Sequence, residues 1–391
     1  MMKMKEIYLD NSATTPLSEV SKKAIERAVE IYGNPSSLHS MGQESHRLLE
    51  EARRQVMSGL GVRQRRDGGA LVFTSSGTEA TSLALLGTAY AKERRDATRI
   101  LTTDSEHPSV ARVMDRLAAD GFEVIRISTR NGVLDMDGVR AALDKKIFLA
   151  SFMLVNNETG AIYKVAEALR LVKQKYPDAI THCDAVQGFM KVAFTPASLS
   201  ADMVTVSAHK LYAPKGVGAL YISAELLKTK RIVPYILGGG QEDGMRSGTE
   251  NVIGITAFGA SVEDIERRRG DIGKYMEELR AYADGKLASL DLRVNRPAGD
   301  RLPNIINITL PRIKSETMLH ALSADGIFVS SGSACSSHSK KTSDSLIAFG
   351  ISAAEADCSL RISMSEYNTK ADIDALCASL EKNIARLVRI K

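Results

Sequence analysis

Between residues 70 and 222 the chain repeats one theme: a short apolar run rich in β-branched residues, closed by a polar cluster. The runs are Ala70–Thr74, Arg99–Thr102, Phe122–Ile127, Ile147–Val155, Ala179–Cys183, Met203–Val206 and Val217–Ile222. Near-continuous apolar character over so few residues predicts strands buried on both faces. Most of the intervening stretches are amphipathic and long enough for a crossover helix, so the reading is an α/β fold on a mostly parallel sheet. Next, Ile253, Phe258, Val262, Ile265, Ile272, Met276 and Leu279 fall near one face of a long helix, which Gly270 and Gly273 are expected to break. Beyond it, strands at Asn304–Leu310 and Leu360–Met364 alternate with helices near Glu316–Ala324 and Ala371–Val388, a smaller α+β unit. No internal repeat or low-complexity linker interrupts this order.

Composition narrows the function classes. At 391 residues, 44% hydrophobic and 25% charged, the chain is an ordinary globular one of two to three domains. Tryptophan is absent and aromatics are 5%, which argues against a base- or sugar-stacking surface. A net charge of +5 is only mildly basic, and the runs Arg63–Arg66 and Arg267–Arg269 read as solvated faces. No nucleic-acid footprint results. Ile147–Val155 is too short to span a bilayer, and no apolar signal core follows Met1. Cys183, Cys335, Cys358 and Cys377 lack metal-ligand spacing and suit a reducing, cytoplasmic setting, where a cysteine acts as a thiol.

Ligands of α/β sheets sit at the carboxyl ends of the strands. There, Thr74-Ser75-Ser76-Gly77-Thr78-Glu79 leads into a helix over Ala80–Lys92: an anion-binding turn, or an ordinary Thr cap with Glu in the first turn. His107, before Pro108, presents an imidazole to a ligand or caps a helix. Asn156-Asn157-Glu158 follows a buried strand, as a turn or as part of a site. Asp184 and Gln187 aim a carboxylate and an amide into one crevice, and a buried carboxylate there needs a cation, which a protonated ring nitrogen supplies. Ser207-Ala208-His209-Lys210 sets a lysine at a strand end, placed for Schiff-base chemistry or simply at the surface. Ser330–Ser337 is a small-residue loop carrying one thiol, Cys335, with His338, Lys340 and Lys341 close enough to favour the thiolate. Arg361, inside an apolar strand, either meets a carboxylate or faces water from an edge.

Each signal is modest, but their succession on one scaffold is specific. With Tyr8–Pro16, Gly33-Asn34-Pro35-Ser36-Ser37, Gly238–Glu242 and Met245–Asn251, the chain closely resembles the cysteine desulfurases of the NifS/IscS type, within the class V aminotransferase family. The likeness spans essentially the whole chain. It implies a fold-type I architecture: a large domain over 15–258 with a mostly parallel seven-stranded sheet, and a smaller α+β domain of 1–14 and 259–391 that carries the cysteine loop. It further implies a cytoplasmic homodimer with sites at the subunit interface, pyridoxal 5'-phosphate as cofactor and no metal.

By the same resemblance, Lys210 holds the cofactor covalently and shuttles protons. Asp184 pairs with its ring nitrogen, Gln187 with its phenolic oxygen, and His107 stacks on the ring and serves acid–base steps. Gly77, Thr78, Ser207 and His209 hold the phosphate, with Thr249 reaching in from the partner subunit. Asn157 contacts cofactor and substrate, and Asn157 and Arg361 grip the carboxylate of L-cysteine. Cys335 attacks the substrate sulfur and becomes a persulfide, leaving alanine and passing sulfur to a protein acceptor such as an iron–sulfur scaffold or a tRNA-thiolation enzyme. Selenocysteine lyase, another class V reaction, and a scaffold without turnover are the competing readings; Cys335 argues against a transaminase. The chain departs from the family at Ser76, where glycine is usual, and at Ala80-Thr81-Ser82.

Overall fold

The computed structural model describes residues 6–62, 69–91, 97–331 and 343–387. A two-residue strand, β1 (Ile7–Tyr8), stands apart from those that follow. β2 (Ala70–Thr74), β3 (Arg99–Thr103), β4 (Glu123–Ile127), β5 (Ile147–Met153), β6 (Ile180–Asp184), β7 (Met203–Ser207) and β8 (Gly218–Ile222) form a seven-stranded sheet in the order β2-β8-β7-β6-β5-β3-β4. The pairs from β7 through β6, β5 and β3 to β4 are parallel, and β8 runs antiparallel to both β7 and β2.

Alternate residues explain why these strands are apolar throughout. Phe73, Leu101 and Phe152 enter a core shared with Phe258 and Val262, while Val72, Ile100 and Leu149 enter a second core with Leu83 and Leu85. The carboxyl ends of β2, β3, β5, β6 and β7 consequently lie along one edge of the sheet, with Met153, Asp184 and Thr205 in register.

Several boundaries move. The helix after β2 is Gly77–Ala89, three residues earlier than expected at its start, because Ser76 and not a threonine caps it, accepting from the Glu79 N–H at 3.1 Å. β5 ends at Met153; Val155 keeps only an isolated bridge to Ile162. The long helix is not broken: Val252–Leu287 is continuous over 36 residues. Gly270 and Gly273 lie where an added Cβ would touch nothing, and packing on either side carries the helix through them. Phe258, Val262 and Ile265 join the large core, and Met276, Leu279, Ala283 and Leu287 the smaller one. Ile253, expected on the buried face, is 41% exposed.

The smaller core closes around β9 (Arg293–Val294), β10 (Ile305–Thr309), β11 (Ile327–Phe328) and β12 (Ser359–Ser363). β12, β10 and β9 make an antiparallel sheet, and β11 pairs in parallel with β1. Ile7 and Leu9 are thus buried among residues of the C-terminal third.

Candidate active site

The strand ends converge on a cavity of about 190 Å³, more than ten times what one water needs, about 10–15 Å³. Gly77, Thr78, His107, Asn157, Asp184, Gln187, Ser207, His209, Lys210 and Arg361 all line it. Ser12, Ala13, Ser76, Ser109, Met153, Val155 and Val186 complete the wall. Cys335, with His338, Lys340 and Lys341, lies outside the described residues, as does the Arg63–Arg66 run. Thr249 is exposed and lines no part of this cavity in its own chain.

Lys210 follows β7 on a single 3-10 turn, and its Nζ donates to the Ser12 and Ala13 carbonyls at 2.6 and 2.8 Å. Gln187 Nε2 also donates to Ser12 O, at 2.9 Å, leaving its Oε1 buried with no partner. Asp184 is buried; burial raises its pKa to about 6, against the Val186 N–H and the Lys210 charge, which lower it. A carboxyl so placed takes a cation from any ligand that brings one.

His107 is both a cap and a pocket residue, so its two readings coexist. Its Nδ1 accepts from the Ser109 N–H at 3.2 Å and lies 2.8 Å from Ser109 Oγ, at the start of the helix Pro108–Ala119. Burial, and then the charges of Lys210 and Arg361, push it down to about 4, so it is a neutral imidazole at pH 7. His209 is likewise driven down to about 3 by burial and the neighbouring lysines.

Arg361 is inward, not at a wet edge. Nη2 meets Asp10 Oδ1 at 2.8 Å, Nη1 donates to Asn157 O at 3.1 Å, and Nε is buried without an acceptor. Asn156, not Asn157, makes the turn after β5, accepting from the Glu158 and Thr159 N–H groups at 3.0 Å each. That leaves the Asn157 side chain to face the cavity.

Sequence reasoning assigned no role to four contributors. Asp10, Ser12 and Ala13 come from the N-terminal segment Tyr8–Pro16, which contributed to the family resemblance but was given no role at the site. Glu106 sits directly behind the site: its Oε1 accepts from Met153 N at 2.9 Å and Thr103 Oγ1 at 2.8 Å, and Oε2 is buried without a partner. Burial, then the Asp184 charge, raise its pKa to about 8.

The family model for aminotransferase class-V matches residues 7–376. The chain belongs to the aminotransferase class-V family. Cysteine desulfurase IscS from Dictyoglomus turgidum is 36% identical over 387 residues, covering 98% of this chain and 95% of that one. A solved structure of a NifS-like protein superposes with a TM-score of 0.89 at 35% identity, over 98% of this chain and 100% of that one. A structure of SspA in complex with cysteine matches with a TM-score of 0.78 at 26% identity, over 93% and 100%.

Class-V enzymes depend on pyridoxal phosphate, and the groups left incomplete in this cavity fit it. The Asp184 carboxyl is buried with the Val186 N–H on Oδ1 at 3.0 Å, and Gln187 Oε1 has no donor among the described residues. Gly77 and Thr78 open a 13-residue helix whose first N–H groups have no acceptor within the helix. A Cβ at Gly77 would lie 3.1 Å from Val186 Cγ2 and 3.3 Å from Ser207 Cβ, so glycine keeps the cradle open.

Proposed function

We propose that this cavity is the active site of a cysteine desulfurase, converting L-cysteine to L-alanine with its sulfur passed to Cys335. The observation that carries the reading is the meeting of Lys210, Asp184, His107 and Arg361 in one cavity of a class-V fold. The cysteine desulfurase relatives and the cysteine-bound neighbour support the choice of substrate.

Lys210 is the residue that would hold pyridoxal phosphate, with Asp184 at the ring nitrogen, Gln187 at the phenolic oxygen, and Gly77, Thr78, Ser207 and His209 at the phosphate. When bound, the group supplies an electron-withdrawing ring that stabilises negative charge next to the substrate amine. Arg361 takes the substrate carboxylate through the guanidinium edge that Asp10 and Asn157 O leave over, and Asn157 helps to orient it. His107, a neutral imidazole lining the cavity, is placed to exchange a proton with the substrate. Lys210, when its amine is free, is held by the Ser12 and Ala13 carbonyls within reach of the cavity. Cys335 attacks as thiolate: an S–S bond forms, the C–S bond breaks, and its electron pair stays with the three-carbon fragment, which is protonated to alanine.

The working unit is a homodimer in this reading. Leu38, Tyr32 and Leu237 are 91%, 79% and 78% exposed, alongside Tyr235 and Ile253. Ser247 N donates to Ile236 O, and Val252 packs with Ala28, Leu48 and Ile31, so Tyr235, Leu237, Ile253 and Tyr32 flank the segment that carries Thr249. An apolar face of this kind is typical of a subunit contact, and it would bring Thr249 to the partner's phosphate turn. Two hydrophobic cores support the division into a large domain of 15–258 and a small one of 1–14 and 259–391, while Val262, Ile265, Leu302 and Ile305 of the second tie into the first core. The sulfur acceptor is a second protein; an iron–sulfur scaffold and a tRNA-thiolation enzyme are the two candidates. Among the described residues, no helix is long and apolar enough to cross a membrane.

The test is a product balance. Cofactor-loaded protein given L-cysteine and a thiol reductant is expected to release alanine and sulfide in equal amounts. Cys335→Ser is expected to lose both, and Lys210→Ala to lose the absorbance of lysine-bound cofactor as well. Pyruvate with sulfide would mean β-elimination and would remove Cys335 from the mechanism.

A further inference from the structure

The turn after β2 carries a charge of the wrong sign. Glu79 lies in the first turn of the helix whose Gly77 and Thr78 line the cavity, where its carboxylate would repel an incoming anion. It is not there as a simple helix-dipole partner. Oε2 accepts from the Ser75 N–H at 2.9 Å and from the Ser75 hydroxyl, tying the turn to itself. Arg246 Nε meets Oε1 at 2.8 Å and Nη2 lies 3.4 Å from Oε2. Burial alone would raise the Glu79 pKa, but Arg246 and the two Ser75 donors outweigh it and hold the group ionised.

Arg246 comes from a loop, 236–251, that is itself buttoned onto β2. Arg53 grips Glu242 with both Nη atoms, at 2.8 and 3.1 Å, and Glu242 Oε2 also accepts from the Phe73 N–H at 2.9 Å. Glu242 and Asp243 hold φ values of 52° and 53°, a left-handed backbone that side-chain-bearing residues rarely adopt. The clasp is what keeps them there. The loop therefore arrives at Glu79 from a fixed base, and Ser247 Oγ and Gln241 Oε1 lock its far limb through Gly240 N and Gly248 N.

We propose that Arg246 is a positioning residue for the cofactor's phosphate: it neutralises Glu79, so that one carboxylate both shapes the Ser75–Thr78 turn and leaves that turn receptive to an anion. The proposal rests on the reading above that the phosphate sits on Gly77 and Thr78. Without Arg246 the turn keeps its form through the Ser75 bonds but gains a bare negative charge beside the anion. Removing both charges together relieves the repulsion.

The experiment titrates full-length protein, stripped of cofactor, with pyridoxal phosphate and with pyridoxal, which lacks the phosphate. Binding is read from the absorbance of the lysine-bound ring, apart from any turnover. Wild type is expected to prefer pyridoxal phosphate. Arg246→Gln is expected to weaken pyridoxal phosphate roughly tenfold or more while leaving pyridoxal within about twofold. The double variant Arg246→Gln, Glu79→Gln is expected to regain most of the lost affinity, which a merely misfolded turn would not. Equal losses for both ligands, no loss at all, or no recovery in the double variant would each overturn the proposal. Wild type that bound both ligands equally would instead bring down the phosphate assignment itself, and this proposal with it.

Discussion

Glu106 is a carboxylic acid enclosed behind a site full of charge, and its titration sets how stability changes near neutral pH. Its pKa is raised in the folded chain to about 8, so the folded state holds a proton that the unfolded state has released. The stability it confers is complete below the ordinary carboxylate pKa and is lost as pH rises towards 8. His107, His182 and His209 act in the opposite sense: burial lowers them to about 4, 3 and 3, so their contribution is complete above pH 6.5 and is lost as pH falls from there towards those values. From pH 6.5 to 8 Glu106 dominates among these four. Urea denaturation is expected to show stability falling by about 2 kcal/mol across that window, and Glu106→Gln, which keeps the Oε1 bonds to Met153 and Thr103, to flatten it. An equally steep decline in the variant would show that another group is responsible. Lys210, Asp184 and His107 were legible in the sequence because each follows a buried strand directly. Glu106 was not, since nothing local distinguishes a glutamate that folds back onto Met153 from one that faces water.

Helices show where sequence periodicity misleads. Gly270 and Gly273 read as breaks because glycine lowers helix propensity, yet propensity is a small term beside two cores gripping the same helix. Their solvent-facing positions give a signed prediction. Gly270→Ala adds a Cβ to open space and is expected to stabilise the protein by roughly 0.5–1 kcal/mol. Gly259→Ala, eleven residues earlier on the same helix, is expected to destabilise by roughly 1–3 kcal/mol. A Cβ there would lie 2.6 Å from Ala52 Cα and 2.4 Å from Gln55 Oε1, at the crossing with the helix Ser40–Gly59. Thermal denaturation of the two variants decides it; shifts of the same sign would refute the packing argument. The sheet was legible because its strands alternate between two apolar cores, whereas the caps were not: Ser76 and not a threonine starts the helix Gly77–Ala89.

The whole molecule is closed by its first residues. Leu9 is buried in the smaller core, Asn11 donates to Ser363 O at 2.9 Å, and Thr15 N donates to His209 O at 2.9 Å, so one short segment stitches β12 to the turn that carries Lys210. Asp10 is the charged stitch, against an Arg361 that is 1% exposed. Asp10→Ala is expected to cost about 2–3 kcal/mol, because it strands part of a buried guanidinium, and to lower the urea midpoint accordingly. An unchanged midpoint would mean that Asn157 O and solvent suffice for Arg361. Hydrophobic periodicity could not place this segment at the site, since its partners there lie 175 or more residues away and register with none of its own pattern.

That stitching also fixes a schedule. Asn11 leaves the ribosome 352 residues ahead of Ser363, its partner, a delay of roughly 20 to 70 s at ordinary rates of synthesis. Once Ile222 is made the seven-stranded sheet has all its strands, while β1 still waits for β11. The wall formed by Arg361 does not yet exist. Completion of the pocket therefore waits for β12, and Ile7 and Leu9 stay without their core partners until the segments that bury them are made.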